Sequence, residues 1–410
     1  MTVLVKILNI SKTSVSRTIE SNNSAILRAI KKSTPRLNFT QFVNCSTAKT
    51  NNNKQYYEHY VASFLPKFKI DIIQNHLSET KNLSQLYLIN PNVAKEFVLL
   101  IKDDLLKNTN HVIEMNPGLG LLTVELLNAN VPFIHMYENQ SNFYNELIKL
   151  CNELPERLSI KEANLIDISK TMHSKNIVKN KHNVYDLFNN VQNKEWEEES
   201  CMQLIGVVNK LGFINHLIMS TVFQTSIVMF GRPVLYLAIP PSIWNKLVNP
   251  AKRRSATHIM FQMLFNYKMF GLVDRKAFVP WCTNKAKRTQ GTCDQQDIVF
   301  FHVVKLEPKP ELFILFRGKQ NVKNFWHFVR HNIYKPSNRI IPIMEKIVPG
   351  CGVKLIKKNY NIFTQFNDLS PIQMYDLFME FQSWPEYETS AFVSSAAEVH
   401  KMYNEYIERV

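Results

Sequence analysis

One short stretch limits the possible folds of this chain more than any other, residues 111–123, with the sequence HVIEMNPGLGLLT. Its apolar start predicts a strand, Gly118 and Gly120 predict a tight turn, and the apolar positions from Leu121 onward predict a helix. Glycine suits such a turn because a Cβ would keep the backbone away from a ligand, which the unpaired N–H groups of the helix start would face. A second predicted strand ends at Glu138, where a carboxylate can accept hydrogen bonds from ribose hydroxyls. The unit therefore predicts a nucleoside site on a doubly wound α/β sheet.

The glycine pattern narrows the choice of nucleoside. A dinucleotide fingerprint would carry a third glycine, and this chain has Thr123 in that region. The catalytic Tyr/Lys or Cys/His set that nicotinamide chemistry would need is not found either. The pattern favours a site of the S-adenosylmethionine type, and an ordinary turn is the simpler alternative.

A third predicted strand, residues 158–160, ends near Asn164. Side chains just beyond the strand ends of such a sheet face the base of the bound nucleoside. Asn164 is therefore a candidate acceptor for the adenine amine. The alternative is that it only starts a turn, which is the commoner role of a single asparagine.

Charge and cysteine content restrict the partners and the compartment. The 410 residues carry a net charge of +15, and such an excess of Lys and Arg favours a polyanion, because phosphate neutralisation releases counterions. The six cysteines are scattered without a C-x-x-C pair, which argues against zinc and disulfides and for a reducing compartment. No apolar run reaches the roughly 20 residues of a membrane helix, so no membrane association is expected.

The amino-terminal residues differ from the rest of the chain. Residues 1–57 are rich in Ser, Thr, Asn and basic residues with Glu20 as the single acid, a composition typical of a mitochondrial transit segment. A disordered arm that binds nucleic acid is the alternative. Residues 58–315 then form the predicted nucleotide-binding domain, and the helical periodicity and Pro/Gly linkers after it predict a smaller helical domain over 316–410.

Four further local expectations concern the large domain. Asn90 before Pro91 predicts a capped helix start. The polar stretch 170–200 predicts a solvated insertion. Two late segments, 276–281 and 298–306, alternate apolar and polar residues enough to predict an antiparallel edge pair. The basic residues at 252–254 are predicted to open a helix whose apolar positions continue through Phe265.

These segments resemble the rRNA adenine dimethyltransferases and in particular their mitochondrial descendants, the transcription factor B proteins. The likeness runs from about Gln85 to Phe381. Gln85-Leu86-Tyr87-Leu88 stands where the family has a Gln-Asn-Phe-Leu cofactor motif, and residues 114–120 (EMNPGLG) match its Glu-Ile-Gly-Pro-Gly-x-Gly motif. The resemblance implies a Rossmann-like S-adenosylmethionine-dependent methyltransferase fold with a smaller C-terminal helical domain. The cofactor-binding residues that it implies are Leu88, Glu114, Asn116, Gly118, Gly120, Glu138 and Asn164.

The chain departs from the family at the catalytic motif. Active members end the fourth strand in Asn-Leu-Pro-Tyr or similar, where the Asn and the backbone accept hydrogen bonds from the target amine and the ring stacks on the flipped adenine. Here Gly206 is followed by Val-Val-Asn-Lys, and neither a valine nor the Lys210 cation supplies those contacts. The alternative is that Asn209, one or two places late, compensates as the acceptor. The family's adenine-binding Asp is Asn164, and a glycine of the first motif is Asn116. We therefore assign no catalytic residue, and S-adenosylmethionine is expected as a retained or vestigial cofactor.

Of the two mitochondrial paralogues, the chain resembles the one that has lost the catalytic motif. That paralogue serves as an initiation factor, so the resemblance implies mitochondrial RNA polymerase and melted promoter DNA as partners, in the mitochondrial matrix or nucleoid. The alternative is an active dimethyltransferase with rRNA of the small subunit as its partner. The candidate phosphate contacts are Lys210, Lys252, Arg253, Arg254, Lys285, Lys287 and Arg288.

Overall fold

The computed structural model describes residues 60–79, 85–168, 184–249, 254–281, 295–335 and 337–408. Residues 61–410 cluster as one compact unit. Among the described residues, no helix combines the length and apolar character that a membrane crossing would need. The same residues contain no group of three or more His, Cys, Asp or Glu side chains that could hold a metal ion.

A seven-stranded mixed sheet forms the centre of the fold, in the order β4-β3-β2-β5-β6-β9-β7. The first five strands in this order are parallel, whereas β9 pairs antiparallel with both β6 and β7. A separate antiparallel pair joins β1 and β8. The strands are β1 Tyr87–Leu88, β2 Val112–Met115, β3 Ile134–Tyr137, β4 Leu158–Lys161, β5 Met202–Val207, β6 Pro233–Ile239, β7 Phe265–Asp274, β8 Phe278–Val279 and β9 Phe300–Pro308.

Helices cover both faces of the sheet, which explains why the central parallel strands are almost continuously apolar. The predicted cap is confirmed, because Asn90 accepts a hydrogen bond from the Asn92 N–H at the start of the second helix. The helices are α1 Lys67–Glu79, α2 Pro91–Leu105, α3 Leu121–Asn128, α4 Ser141–Glu153, α5 Val184–Leu187, α6 Leu211–Phe223, α7 Pro241–Val248, α8 Ala256–Leu264, α9 Leu312–Leu315, α10 Lys319–Ile333, α11 Ile340–Ile347, α12 Gly352–Lys357, α13 Pro371–Gln382 and α14 Ala391–Glu408.

Two buried apolar clusters lie on opposite sides of the sheet, as the alternation of the β2 residues Val112 and Ile113 between them shows. One cluster packs α2 and α3 against the sheet. The other is larger and continues without interruption from the sheet into the carboxy-terminal helices, where it includes Phe325, Phe328 and Phe378. The helical region after residue 316 thus shares its core with the sheet, and the predicted boundaries 58–315 and 316–410 stay a prediction.

Two of the local expectations were wrong. The segment 276–281 does not pair with 298–306, because its strand β8 pairs with β1, and the partner of β9 at the edge is β7. The predicted helix ends one residue early, at Leu264, since Phe265 begins the long strand β7. An apolar run of this kind carries no period that separates helix from strand, and the pairing of Phe265–Asp274 with β9 decides it.

In the described part of the predicted solvated insertion, 184–200, the four glutamates at 195 and 197–199 are exposed as expected, but the stretch is also anchored to the rest of the protein. Trp196 is buried and donates from Nε1 to the Lys309 carbonyl. The guanidinium of Arg232, itself buried, donates to the carbonyls of Trp196 and Glu198 and forms an ion pair with Glu307. Buried apolar side chains and backbone contacts therefore hold this acidic stretch against the body of the protein.

Candidate nucleoside site and its departures

The glycine turn follows β2 directly and places several residues in the left-handed region of backbone conformation. Asn116 has φ of 53°, Gly118 of 59° and Gly120 of 70°. At Gly118 a Cβ would lie 2.6 Å from the Tyr87 ring, so a side chain is excluded by space as well as by conformation. Gly120 precedes α3 as its N-cap. The sequence correctly predicted a turn in which the backbone closely approaches another group. In this structure that group is the ring of Tyr87, which belongs to the protein itself.

Glu138, at the end of β3, is fully buried and accepts hydrogen bonds from the protein on both oxygens. Oε2 accepts from the Gly118 N–H at 3.1 Å, and Oε1 accepts from the N–H groups of Asn139 and Gln140, each at 3.0 Å. Burial raises the pKa of the Glu138 carboxyl to about 7, although these hydrogen bonds oppose the shift. The predicted ribose acid therefore lies beside the glycine turn and is bonded to it.

Tyr87 was not among the residues selected from sequence, yet it contacts both halves of this site. Its ring packs on Gly118 and on Phe143, with ring centroids 4.5 Å apart in the second case. Its hydroxyl lies 3.3 Å from Glu138 Oε1 and 3.1 Å from Gln85 Oε1. The hydroxyl thus occupies a position from which it competes with a ligand hydroxyl for the Glu138 carboxylate.

Two other predicted residues have structural contacts. Glu114 is buried in β2 and accepts a 2.6 Å hydrogen bond from the Thr123 hydroxyl, which ties the strand to α3. Burial raises the pKa of the Glu114 carboxyl to about 8. Leu88 is buried opposite Phe278 in the β1–β8 pair, so it helps to fix the segment that carries Tyr87.

Asn164 shows the turn role that the sequence left open. Its Oδ1 accepts from the backbone N–H groups of Ile166 at 3.0 Å and Asp167 at 3.3 Å, and from the Asn116 amide at 3.3 Å. Its own amide donates to Asp167 Oδ2 at 3.3 Å. Lys210 Nζ then lies 3.0 Å and 3.3 Å from the two Asp167 oxygens. We call these four residues, Asn116, Asn164, Asp167 and Lys210, the polar chain.

The sequence profile described as "Ribosomal RNA adenine dimethylase" matches residues 76–383, which is most of the chain. The chain belongs to this family. Its members are S-adenosylmethionine-dependent methyltransferases. Dimethyladenosine transferase 2, mitochondrial, of Drosophila melanogaster is 30% identical over 331 residues, which cover 69% of this chain and 72% of that protein. This similarity confirms the predicted family and, among its mitochondrial members, the second paralogue.

Two solved structures are among those similar to this chain. One is the 23S rRNA methyltransferase ErmE, with a TM-score of 0.46, 15% identity, and coverage of 72% of this chain and 98% of that one. Another is a dimethyladenosine transferase from Plasmodium falciparum, with a TM-score of 0.44, 14% identity, and coverage of 72% and 97%.

The end of β5 is where the adenine dimethylase family has its target-base motif. Val207 is 9% exposed, and Val208 is fully buried with its N–H donating to the Ala238 carbonyl at 3.0 Å. Both side chains belong to the packed core, one on each side of the sheet. Lys210, where the family has an aromatic ring, points its ammonium to Asp167. Hydrocarbon and an ion pair therefore occupy three of the four positions of this motif, and Asn209 stands at the remaining one.

The candidate phosphate contacts fall into two groups. Lys210 is half-buried in its ion pair, and Arg254 donates to the carbonyls of Asn367 and Asp368, which ties the start of α8 to the carboxy-terminal helices. Both therefore have partners within the chain. The remaining candidates lie outside the described residues, namely Lys252, Arg253, Lys285, Lys287 and Arg288.

A donor and acceptor set that fits the family's nucleoside is partly present. Glu138 keeps the carboxylate at the end of β3, and Asn116 keeps a buried acceptor, Oδ1, that finds no hydrogen-bond partner among the described residues. An unsatisfied buried acceptor is costly unless a ligand, a water or a rearrangement supplies a donor. These residues fit the ribose and amine groups of a nucleoside cofactor, while the Tyr87 hydroxyl and the polar chain compete for the same space.

Proposed function

We infer that this protein is a mitochondrial transcription initiation factor, which works with the single-subunit mitochondrial RNA polymerase to melt promoter DNA and to hold the opened strand. The inference rests on one observation above all. The methyltransferase-like scaffold is complete, but Val207, Val208 and Lys210 leave the target-base position without an acceptor or a stacking ring. A fold that keeps its nucleic-acid-binding family architecture without the catalytic grip suits a role in binding.

The charge of the chain supports a polyanionic partner. A net charge of +15 gives a long-range attraction to a phosphate backbone and a gain from counterion release. The basic residues Lys252, Arg253, Lys285, Lys287 and Arg288 would supply direct phosphate contacts. A melted single strand needs such contacts along its backbone and no base-specific readout.

The mitochondrial setting is part of the same proposal. It is supported by the printed name of the Drosophila relative and by the basic, almost acid-free residues 1–57. The matrix, and within it the nucleoid, is where a polymerase partner and promoter DNA would meet this protein.

A second function, dimethylation of small-subunit rRNA, is favoured by the retained Glu138 and glycine turn. When bound, S-adenosylmethionine would supply the methyl group. Glu138 would hold its ribose, and Asn116 Oδ1 would accept from one of its amines. Val207, Val208 and Lys210 contribute no side-chain acceptor that orients a target adenine, which is why this function is placed second, since methyl transfer depends largely on positioning.

Two assays on the full chain separate these functions. Run-off transcription from a mitochondrial promoter is measured with the polymerase alone and with this protein added, and a product that depends on the protein is expected. Transfer of a labelled methyl group to the rRNA hairpin is measured in parallel, with Glu138→Ala as the control for cofactor dependence. Protein-independent run-off together with Glu138-dependent methylation would replace the first function by the second.

A further inference from the structure

The polar chain connects three of the positions at which the family's cofactor and target-base motifs have changed. Asn116 stands at a family glycine, Asn164 at a family aspartate, and Lys210 at a family aromatic residue. These residues come from the ends of three different strands, β2, β4 and β5, and they are far apart in sequence. Asp167 joins them, since it bonds to both Asn164 and Lys210.

The sheet order places this connection across the ligand crevice. The strand order β4-β3-β2-β5 means that the chain leaves β2 for β3 and β4 on one side and returns to β5 on the other. In open α/β sheets the crevice beyond the strand ends at such a reversal is where ligands bind. Asp167 is carried by the loop after β4 and Lys210 by the loop after β5. Their ion pair therefore bridges the two sides of the crevice, above strands spaced about 4.8 Å apart.

The Asp167 side of this ion pair, which is bonded to Asn164, is held more firmly than the Lys210 side. Asn164 is fixed by backbone N–H groups in its own turn. Lys210, in contrast, precedes α6 and reaches Asp167 with a flexible side chain whose exposed fraction is 28%, against 21% for that of Asp167. A partly exposed ammonium can change partners without unfolding the loop that carries it. The acceptor most able to replace a carboxylate is another oxyanion, such as a phosphate.

The Asn116 Oδ1 atom destabilises the polar chain in the state in which the Asp167–Lys210 ion pair is formed. This acceptor is buried and finds no hydrogen-bond partner among the described residues, while the amide of the same side chain donates to Asn164. A polar network with one member unsatisfied favours any rearrangement that supplies the missing donor. A nucleoside in the crevice would supply one.

We propose that the Asp167–Lys210 ion pair is a latch that closes the nucleoside crevice, and that a phosphodiester backbone opens it by drawing Lys210 away from Asp167. The role of the phosphodiester backbone in opening the latch rests on the proposed function, whereas the latch itself is inferred from the polar chain alone. Because the two ligands then favour the same open state, each increases the affinity for the other by the same factor. Coupling of this kind makes nucleoside binding a response to the nucleic acid.

The experiment titrates S-adenosylhomocysteine into the full chain by calorimetry, with and without a saturating single-stranded DNA oligonucleotide of mixed sequence. For the wild type we expect the DNA to lower the Kd of S-adenosylhomocysteine at least about fivefold, the lower end of usual coupling factors. Lys210→Met removes the ammonium at similar side-chain length. We expect it to bind S-adenosylhomocysteine about fivefold more tightly than the wild type without DNA, and to show no further gain with DNA.

Two additional variants guard the interpretation. Asp167→Asn breaks the same ion pair from the other side with an isosteric side chain, and it should match Lys210→Met in both titrations. Lys149→Met removes a lysine from an ion pair outside the crevice, the one with Glu146 on α4, and it should behave as the wild type. If both latch variants bind S-adenosylhomocysteine as the wild type does, the latch is refuted.

The outcome is separable from that of the proposed function. Tighter binding by both latch variants supports the latch whether or not the wild type responds to DNA, and a wild type that does not respond refutes the phosphodiester backbone as its opener. If run-off depends on this protein but both latch variants bind S-adenosylhomocysteine as the wild type does, the latch is refuted and the initiation role stands. If the coupling between the two ligands is observed in full but the protein has no effect on run-off, the latch stands and the initiation role is refuted.

Discussion

Replacing Glu138 with glutamine tests how the buried carboxyl at the end of β3 contributes to stability. The folded protein raises the pKa of this carboxyl from an ordinary 4.5 to about 7, mainly because burial disfavours the charge. Between these values the unfolded chain has released the proton and the folded chain still holds it. The unfolded state then binds fewer protons, so the stability falls as the pH rises through this window.

The size of the effect follows from the two pKa values. Each tenfold difference in proton affinity is worth about 1.4 kcal/mol. Glu138 therefore costs the folded state about 3 kcal/mol above pH 7 and almost nothing below pH 4.5, with about 2.5 kcal/mol of the change falling between pH 5 and pH 8. Glutamine does not titrate, so Glu138→Gln lacks this component.

The assay is urea unfolding at pH 5 and pH 8 at constant ionic strength. The free energy of unfolding of Glu138→Gln minus that of the wild type should be about 2.5 kcal/mol higher at pH 8 than at pH 5, because only the wild type loses stability over this range. Burial raises the pKa of Glu114 as well, and the Glu138 charge raises it further, so the loss of this repulsion in Glu138→Gln contributes to the difference in the same direction. Glu156→Gln is the matched control, because that side chain is exposed, and it should follow the wild type at both pH values. Parallel pH profiles for Glu138→Gln and the wild type would refute the reasoning.

Two further substitutions test the neighbours of Glu138. Tyr87→Phe restores the residue of the family motif and removes the hydroxyl that competes for Glu138, so S-adenosylhomocysteine should bind about tenfold more tightly in calorimetric titration, the equivalent of one hydrogen bond of about 1.4 kcal/mol. Unchanged or weaker binding would mean that the hydroxyl does not obstruct the site. Asn116→Gly removes a buried acceptor without a partner among the described residues, at a φ that glycine adopts without strain, and should raise the urea-unfolding free energy by about 1 kcal/mol. A loss of stability would show that the amide bond to Asn164 outweighs that acceptor.

Local patterns in the sequence were enough for the elements that depend on their own residues. The strand, the turn at Gly118 and Gly120, and the following helix are found at the predicted place, because glycine conformation and apolar period are local properties. The helix start at Asn90, and Glu138 at the end of the next strand, are found for the same reason. The family resemblance followed from these same short motifs.

Contacts between distant segments decided the rest. The pairing of Phe265–Asp274 with β9 decided the structure of an apolar run that is equally compatible with a helix. Trp196 is held in the core with the help of a hydrogen bond to the Lys309 carbonyl, more than a hundred residues later in the chain. The turn contacts of Asn164 became visible only when the backbone N–H groups around it were in place, whereas its predicted role toward adenine stays a prediction.

The sequence by itself determined that Val207 and Lys210 replace the residue types of the family's target-base motif, because the chemistry of a side chain does not depend on the fold. Only the tertiary structure decided what stands in its place. The ends of β2, β4 and β5 meet at one edge because parallel strands align their carboxyl ends, and this brings Asn116, Asn164 and Lys210 within reach of Asp167. No local period encodes such a meeting, since it depends on the order of the strands in the sheet.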